Sequence, residues 1–248
     1  MFKHGKMSTN KLKKVFILGG SSDIGIETVQ LFLKNNWIVT AHYNSNKKKL
    51  INLTKKNKNL KLFNFNLLKI EKLEKYINKN KKLFSEFDSF VGLSGYIKLK
   101  TFSNFKVKDF NDHFNVNYLS NMLIIKKLLE NMKKRKWGRI LLTSSIGTKY
   151  GGHSNTFIYS LSKYMNEFFP SYYKKFFYKG ILINCLQIGV TDTKLNKKNK
   201  NKNLKKRINL IPIKRMATVS EVAKYIYFLS SEENNLITKE IINISGGE

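Results

Sequence analysis

Cysteine, proline, arginine and acidic residues are all scarce in this chain, and the scarcity is informative. The single cysteine, Cys185, excludes an internal disulfide and is typical of a reducing compartment. No apolar run approaches the roughly 18 residues of a membrane span. The basic N-terminus also lacks the apolar segment of a secretory signal. We therefore expect a cytoplasmic protein that does not enter a membrane.

The balance of charge is strongly basic, with 16 acidic residues against 47 basic ones and a formal net charge of +31. The basic residues are 43 Lys and only 4 Arg, and they occur beside 29 Asn. Proteins that read nucleic acid depend on Arg for bidentate contacts, so nucleic acid is a disfavoured partner. Lys and Asn enriched together indicate AT-rich coding bias on solvated surfaces. A real preference for acidic partners is the alternative.

Two kinds of chemistry are missing as well. No group of His, Cys, Asp and Glu has the spacing of metal ligands, so we expect no catalytic metal. The sequence around Ser145 is not G-x-S-x-G, which argues against a hydrolase nucleophile. His153 follows in the next loop. We favour a solvated side chain for this histidine over one that contacts the substrate.

The chain does contain a regular alternation of short apolar runs and amphipathic segments. Strands are predicted at 14–18, 37–42, 60–65, 87–93, 139–143, 181–187 and 240–244. Helices are predicted at 23–34, 46–58, 70–80, 109–134, 156–178 and 219–231, with Pro170 expected to kink or split its helix. This order predicts an α/β fold, a single Rossmann-like doubly wound domain. It would span 14–248, after a polar tail at 1–13, with a mostly parallel seven-stranded sheet covered by helices on both faces.

A glycine-rich turn, GGSSDIG at 19–25, lies between the first strand and the first helix. Glycines at such a turn let the backbone bend tightly and let a pyrophosphate approach the helix N-terminus, where the helix dipole favours anions. The spacing differs from G-x-G-x-x-G, and Asp23 stands where a middle glycine would help. The position of the turn therefore favours a nucleotide site more than the motif itself does.

A second pattern combines Tyr159 and Lys163, four residues apart and thus on one face of a predicted helix. A phenol has an ordinary pKa of about 10, and a nearby ammonium lowers the pKa towards useful proton transfer. Ser144 and Ser145 lie upstream at the end of an apolar run and offer a hydroxyl to a substrate oxygen.

Taken in order, these motifs resemble the short-chain dehydrogenase/reductase family over nearly the whole chain, from Lys14 to Gly247. LGGSSDIG at 18–25 matches the family's T-G-x-x-x-G-x-G, with Leu18 for Thr and Asp23 for the middle Gly. GLSG at 92–95 matches N-N-A-G, IGVTDT at 188–193 matches P-G-x-x-x-T, and SGG at 245–247 matches D-G-G. Length and a short substrate lid resemble the 3-oxoacyl-[acyl-carrier-protein] reductases of that family.

The resemblance implies four catalytic residues: Asn117, Ser145, Tyr159 and Lys163. Tyr159 would be the general acid in reduction, Lys163 would lower its pKa and hold the nicotinamide ribose, and Ser145 would bind the substrate carbonyl. Asn117 would order a water that links Lys163 to solvent, or it would be a buried residue satisfied by backbone. Ser144 is a minor alternative to Ser145, because the spacing to Tyr159 is one residue longer than usual.

The resemblance also implies a set of cofactor-binding residues. They are Gly19, Ser21, Ser22, Asp23, Ile24, Gly25, Asn44, Ser45, Asn66, Leu67, Ser94, Gly95, Tyr159, Lys163, Gly189, Val190 and Thr193. The sequence after strand two, HYNSNKK at 42–48, has no acid that would bind a ribose 2′-hydroxyl and repel a 2′-phosphate. We therefore favour NADP(H) over NAD(H).

The resulting hypothesis is an NAD(P)H-dependent oxidoreductase that reduces a ketone to a secondary alcohol or runs the reverse reaction. Its substrate would be a small molecule or carrier-bound, as in a 3-oxoacyl-[acyl-carrier-protein] reductase. A reductase of a sugar or nucleotide-sugar ketone is an alternative, and a non-catalytic basic binding protein is an alternative of another class. The basic segment 193–211 lies where the family has its substrate lid, and the family is usually a homotetramer or homodimer.

Overall fold

The computed structural model describes residues 12–194, 196 and 204–248. Its strands are β1 (Lys14–Leu18), β2 (Ile38–Tyr43), β3 (Leu60–Asn64), β4 (Ser89–Gly92), β5 (Gly138–Ser145), β6 (Ile181–Ile188) and β7 (Ile241–Ile244). Its α-helices are α1 (Asp23–Lys34), α2 (Lys48–Thr54), α3 (Ile70–Lys79), α4 (Lys81–Ser85), α5 (Val107–Phe114), α6 (Ser120–Arg135), α7 (Phe157–Tyr164), α8 (Lys174–Phe177), α9 (Leu204–Asn209) and α10 (Val219–Ser230). Most of the predicted tail and the centre of the predicted lid lie outside the described residues.

The seven strands form one sheet in the order β3-β2-β1-β4-β5-β6-β7, and every neighbouring pair is parallel. The predicted fold class is therefore confirmed. The order reverses at β1, because the chain first winds outward to β3 and then returns to place β4 on the other side of β1. Such a reversal opens a crevice at the carboxyl ends of β1 and β4, where ligands bind in doubly wound folds.

Each face of the sheet carries its own apolar core. Phe16 and Leu18 of β1 point to one side, where α3, α4, α6 and α8 pack, whereas Val15 and Ile17 point to the other, where α1, α2 and α10 pack. Successive side chains of a strand face opposite sides, so a strand buried on both faces must be apolar throughout. This explains why β1 and β6 are almost continuous apolar runs.

The predicted helix 109–134 is wrong in one respect, because the structure divides it. A π-helical turn, Asn115–Leu119, separates α5 from α6. The Val116 carbonyl accepts hydrogen bonds from the side chains of Ser94 and Ser120, and the Asn117 carbonyl accepts from Asn121. Side-chain donors compete with the regular backbone ladder here, which hydrophobic periodicity does not reveal.

The predicted split at Pro170 is confirmed. After α7 the chain forms a 3-10 turn, Met165–Glu167, and then becomes extended at Phe168. A second 3-10 turn, Ser171–Tyr173, leads into α8. Proline disfavours helical backbone in the residue before it and cannot donate the helical hydrogen bond.

Candidate active site

The predicted glycine turn lies at the carboxyl end of β1, beside the crevice. Gly19 has a φ of +85°, and a Cβ placed there would lie 2.8 Å from the backbone carbon of Leu93. A Cβ on Gly25 would lie 2.5 Å from the Gly19 carbonyl oxygen. Ser22 caps α1, with its hydroxyl accepting from the Gly25 N–H at 3.0 Å. The turn therefore needs glycine at both positions to bring the start of α1 against the end of β4.

Asp23 begins α1 in the place of a glycine and carries a charge that would oppose a nearby phosphate. Its carboxylate accepts from the Lys49 ammonium at 3.0 Å and from the Lys194 backbone N–H at 2.8 Å. Burial would raise the pKa of Asp23, but these hydrogen bonds and the Lys49 charge hold it below its ordinary value. The carboxylate is thus ionised and paired, so the α1 N-terminus still fits an anionic pyrophosphate.

His42, at the end of β2, supports the same turn, and the sequence did not identify it as a site residue. Its Nδ1 accepts from the Gly19 N–H at 3.1 Å, and its Nε2 donates to the Phe65 carbonyl at 2.9 Å. Burial lowers the pKa of His42 to about 4, which keeps the ring neutral. The available sequence signal was its place at the end of the predicted second strand.

The predicted adenine and ribose contacts lie at the ends of β2 and β3. Asn44 and Ser45 are exposed, as a 2′-phosphate site requires. The Asn66 side chain accepts from the Leu68 N–H at 3.0 Å and closes a turn. Leu67 is buried in the core, so its contact with a nucleotide would have to use its backbone.

Lys163 lies under the crevice between the ends of β4 and β5. Its ammonium donates to the carbonyls of Ser94, at 2.9 Å, and Thr143, at 3.3 Å. Burial lowers the pKa of Lys163 to about 8. Gly95 follows Ser94 at the exposed rim, where a Cβ would meet nothing within 4 Å. The segment after β4 therefore holds the ammonium and leaves space beside it.

Tyr159 and Ser145 meet in the structure, and their side chains are hydrogen-bonded. Burial raises the pKa of Tyr159, and the bond with Ser145 opposes this. The expected lowering of the phenol pKa by Lys163 stays a prediction, because burial sets the direction of the shift here. The Lys163 ammonium itself is directed to the two carbonyls described above.

The two adjacent serines point in different directions. The Ser144 hydroxyl is buried and donates to Glu167, whereas the Ser145 hydroxyl accepts from the Gly147 N–H at 3.3 Å and faces Tyr159. Alternation along β5 sends their side chains to opposite sides. The structure thus brings Ser145, and not Ser144, to the tyrosine.

Asn117 is fully buried in the π-helical turn. Its side chain accepts from the Tyr96 N–H at 2.6 Å and donates to the Tyr96 carbonyl at 2.9 Å and the Ser162 hydroxyl at 2.8 Å. Its carbonyl accepts from the Asn121 and Asn166 amides. These bonds match the alternative expectation for Asn117, a buried residue whose side chain is satisfied largely by backbone groups. The ordered water that would link Lys163 to solvent stays a prediction.

The last predicted contacts follow β6. A Cβ on Gly189 would lie 2.5 Å from the Ser245 Cα, so only glycine allows the end of β6 to pass so close to the chain after β7. The Val190 carbonyl accepts from the Ala217 N–H at 3.0 Å. The Thr193 hydroxyl accepts from the Asn196 N–H at 3.4 Å. This segment borders the same crevice as Ser145 and leads into the predicted lid.

The remaining predicted residues lie in the glycine turn or in an exposed loop. Ser21 lies in the glycine turn, and the Ile24 carbonyl accepts from the Thr28 hydroxyl at 2.8 Å. His153 is exposed in its loop. Over residues 12–194, 196 and 204–248, no cluster of His, Cys, Asp and Glu has a geometry suited to a metal ion. Over the same ranges, no helix combines the length and apolarity needed to span a membrane.

Comparison with known proteins agrees with this geometry. The model of the family described as short chain dehydrogenase matches residues 13–204. The 3-oxoacyl-[acyl-carrier-protein] reductase FabG of Buchnera aphidicola subsp. Baizongia pistaciae (strain Bp) is 30% identical over 246 residues, covering 97% of this chain and 98% of that protein. The acetoacetyl-CoA reductase of Cupriavidus necator is 24% identical over 94% of this chain and 96% of its own length. Among solved structures, ElxO with NADP bound superposes with a TM-score of 0.82 at 29% identity, covering 95% of this chain and 98% of ElxO.

Proposed function

The chain belongs to the short chain dehydrogenase family, and from that premise we propose that it is an NADPH-dependent 3-oxoacyl reductase whose catalytic group is Tyr159. An oxidoreductase of this family acts on carbonyl and CH–OH groups. The observation that carries the proposal is the hydrogen bond of Tyr159 with Ser145, beside a buried Lys163 at the crevice that opens next to the glycine turn.

Each catalytic residue has a task that fits its surroundings. The nicotinamide, when bound, supplies the hydride. Ser145 donates to the substrate carbonyl oxygen as negative charge develops there, and Tyr159 delivers the proton that completes the alcohol. The raised pKa of Tyr159 keeps the phenol protonated at neutral pH, as a proton donor in reduction requires.

Lys163 and Asn117 act around this pair. The Lys163 ammonium, held by the Ser94 and Thr143 carbonyls, presents positive charge to the ribose hydroxyls and the phenol. Asn117 fixes the backbone of Tyr96, two residues after Ser94, and so fixes the carbonyl that holds the ammonium. A water ordered near Asn117 remains part of the proposal.

The cofactor-binding residues form a continuous path along the carboxyl edge of the sheet. The pyrophosphate would lie against residues 19–25, the adenine near Asn66 and Leu67, and the carboxamide against Gly189, Val190 and Thr193. The 2′-phosphate would meet the exposed Asn44 and Ser45, and this supports NADPH over NADH. The ratio of kcat/KM for NADPH to that for NADH tests the preference, and a ratio below one would exclude it.

A 3-oxoacyl thioester is the proposed substrate because of the Buchnera and Cupriavidus relatives. The basic surface suits an acidic carrier protein, and the segment 193–211 would be the lid that closes over the acyl group. A cytoplasmic location belongs to the same proposal and accords with the free thiol of Cys185.

Assembly into a homodimer or homotetramer is a further part of the proposal. The apolar residues of α6 and of the segment 168–176 divide between the core and the surface. Ile124, Leu128 and Phe176 are core residues, whereas Phe168 is 67% exposed and Tyr172 is 52% exposed. Exposed aromatic side chains of this kind support an interface between copies of the chain, and sedimentation analysis would measure the resulting mass.

The function is tested with a panel of ketones and NADPH consumption as the readout. We expect β-keto thioesters to be reduced and nucleotide-sugar ketones to be inert. Faster reduction of a sugar ketone would replace the proposed substrate. Failure to consume NADPH with any ketone, together with a gel shift of nucleic acid at physiological salt, would instead favour a binding protein.

A further inference from the structure

An acidic side chain, Glu167, lies behind the catalytic serine, four residues after Lys163. Its Oε1 accepts hydrogen bonds from the Ser144 hydroxyl, from the Thr148 hydroxyl at 2.7 Å and from the Gln187 amide at 3.2 Å. These donors belong to the end of β5, the turn after Ser145 and the end of β6. One carboxylate oxygen therefore joins three separate segments of the site to the chain that follows α7.

The donors also bind one another and the catalytic segment. The Thr148 hydroxyl lies 2.8 Å from the Ser145 carbonyl, and it accepts from the Gln187 amide at 2.9 Å. Gln187 in turn accepts from the Asn243 amide of β7 at 3.0 Å, and it lies two residues before Gly189. The network thus reaches from the backbone of the catalytic serine to the segment that would meet the nicotinamide.

The chemistry of the centre is specific, because every group that points at Oε1 is a donor. An ionised carboxylate is an acceptor only, and hydrogen bonds to it are shorter and stronger than neutral ones. Ser144 and Gln187 are both buried, so removal of the acceptor would leave buried donors unsatisfied. Burial, and after it the Glu167 charge, raise the pKa of the Cys185 thiol on β6.

We propose that Glu167 is a positioning residue that holds the Ser145 turn and the end of β6 in register with Tyr159. The proposal rests on the proposed reductase function for its kinetic readout. Glu167 acts indirectly. It holds Thr148, whose one hydroxyl proton lies between the Glu167 carboxylate and the Ser145 carbonyl, and it holds Gln187, two residues before Gly189. A displacement of about 1 Å at a reacting group costs about a hundredfold in rate, so loss of this acceptor is expected to lower kcat.

Three variants separate positioning from simple loss of folding. Glu167→Ala removes the acceptor, Glu167→Gln keeps an oxygen that accepts the same bonds, and Thr148→Val removes the hydroxyl while keeping the shape. Glu74→Ala, an exposed acid on α3, is the matched control for loss of charge. Each is compared with wild type by kcat, by the Kd for NADPH from fluorescence titration, and by hydrogen exchange of residues 145–151.

We expect Glu167→Ala to lower kcat by about 10- to 100-fold, to leave the NADPH Kd within about threefold, and to raise exchange in residues 145–151. Glu167→Gln should restore kcat to within about fivefold of wild type and restore the protection. Thr148→Val should lower kcat and raise exchange in the same segment, and Glu74→Ala should change neither.

Four results would overturn the proposal: an unchanged kcat in Glu167→Ala, unchanged hydrogen exchange in that variant, a cofactor Kd that weakens in step with kcat, or a Gln variant as impaired as the Ala variant. Hydrogen exchange does not depend on turnover. Wild-type protein that reduces no ketone would therefore refute the proposed function, while unchanged exchange in Glu167→Ala would refute the role of Glu167.

Discussion

His42 joins the nucleotide turn to two strands, and its neutral ring makes the stability of the protein depend on pH. Nδ1 must accept from the Gly19 N–H while Nε2 donates to the Phe65 carbonyl. A protonated ring has no acceptor, so protonation would break the bond to Gly19. We predict that acid destabilises the protein through this residue and that His42→Gln, which offers one acceptor and one donor without titrating, removes that dependence.

The magnitude follows from the pKa of about 4 in the folded protein and about 6.5 in an unfolded chain. Between these values the unfolded chain binds the proton and the folded one does not, so stability falls as pH falls from about 6.5 to about 4. Each pH unit in that window costs about 1.4 kcal/mol. Between pH 7 and pH 4.5 the contribution of His42 is therefore about 2–3 kcal/mol.

The assay is urea unfolding at pH 7 and at pH 4.5, followed by the fluorescence of Trp37 and Trp137 in the apolar core. The loss of unfolding free energy between the two pH values should be about 2–3 kcal/mol smaller in His42→Gln than in wild type. His153→Gln, at an exposed histidine, is the matched control and should follow wild type. Equal losses in wild type and His42→Gln would refute the reasoning, as would a control that behaves like His42→Gln.

Three further predictions concern the site. Gly25→Ala should weaken NADPH binding by at least about tenfold in a titration and destabilise the protein by about 1–3 kcal/mol, because its Cβ meets the Gly19 carbonyl at 2.5 Å; unchanged affinity would contradict the tight turn. Reduction should decline above about pH 8 in a kcat/KM profile, since burial lowers the pKa of Lys163 to about 8 and the ammonium loses its proton there; a flat profile to pH 10 would argue against a required cation. Ser145→Ala should lower kcat by about a hundredfold or more, whereas Ser144→Ala should stay within about threefold, and the reverse order would assign the substrate contact to Ser144.

Periodicity and turn residues were sufficient to predict the fold. Every predicted strand is present within two residues at each end, because buried parallel strands need apolar side chains on both faces. The same method missed the π-helical turn at Asn115–Leu119, since side-chain hydrogen bonds to the Val116 and Asn117 carbonyls leave the apolar period almost unchanged.

The site was predictable where chemistry follows a motif, and not where it depends on packing. The spacing of Tyr159 and Lys163 predicted that they share a helix face. The pKa of the phenol is governed by burial, however, and a local sequence pattern does not reveal burial. Glu167 and Gln187 were missed because their partners are distant in sequence. The position of Glu167 four residues after Lys163, on the same face of the predicted helix, was the available signal.

The central claim is that Tyr159 donates the proton while a β-ketone is reduced at the expense of NADPH. The most direct measurement is single-turnover NADPH oxidation with a β-keto thioester, comparing wild type with Tyr159→Phe at equal cofactor occupancy. We predict at least about a hundredfold slower turnover in the variant, with the NADPH Kd within about threefold of wild type. Turnover in Tyr159→Phe above about a hundredth of the wild-type rate would contradict a general acid at this position.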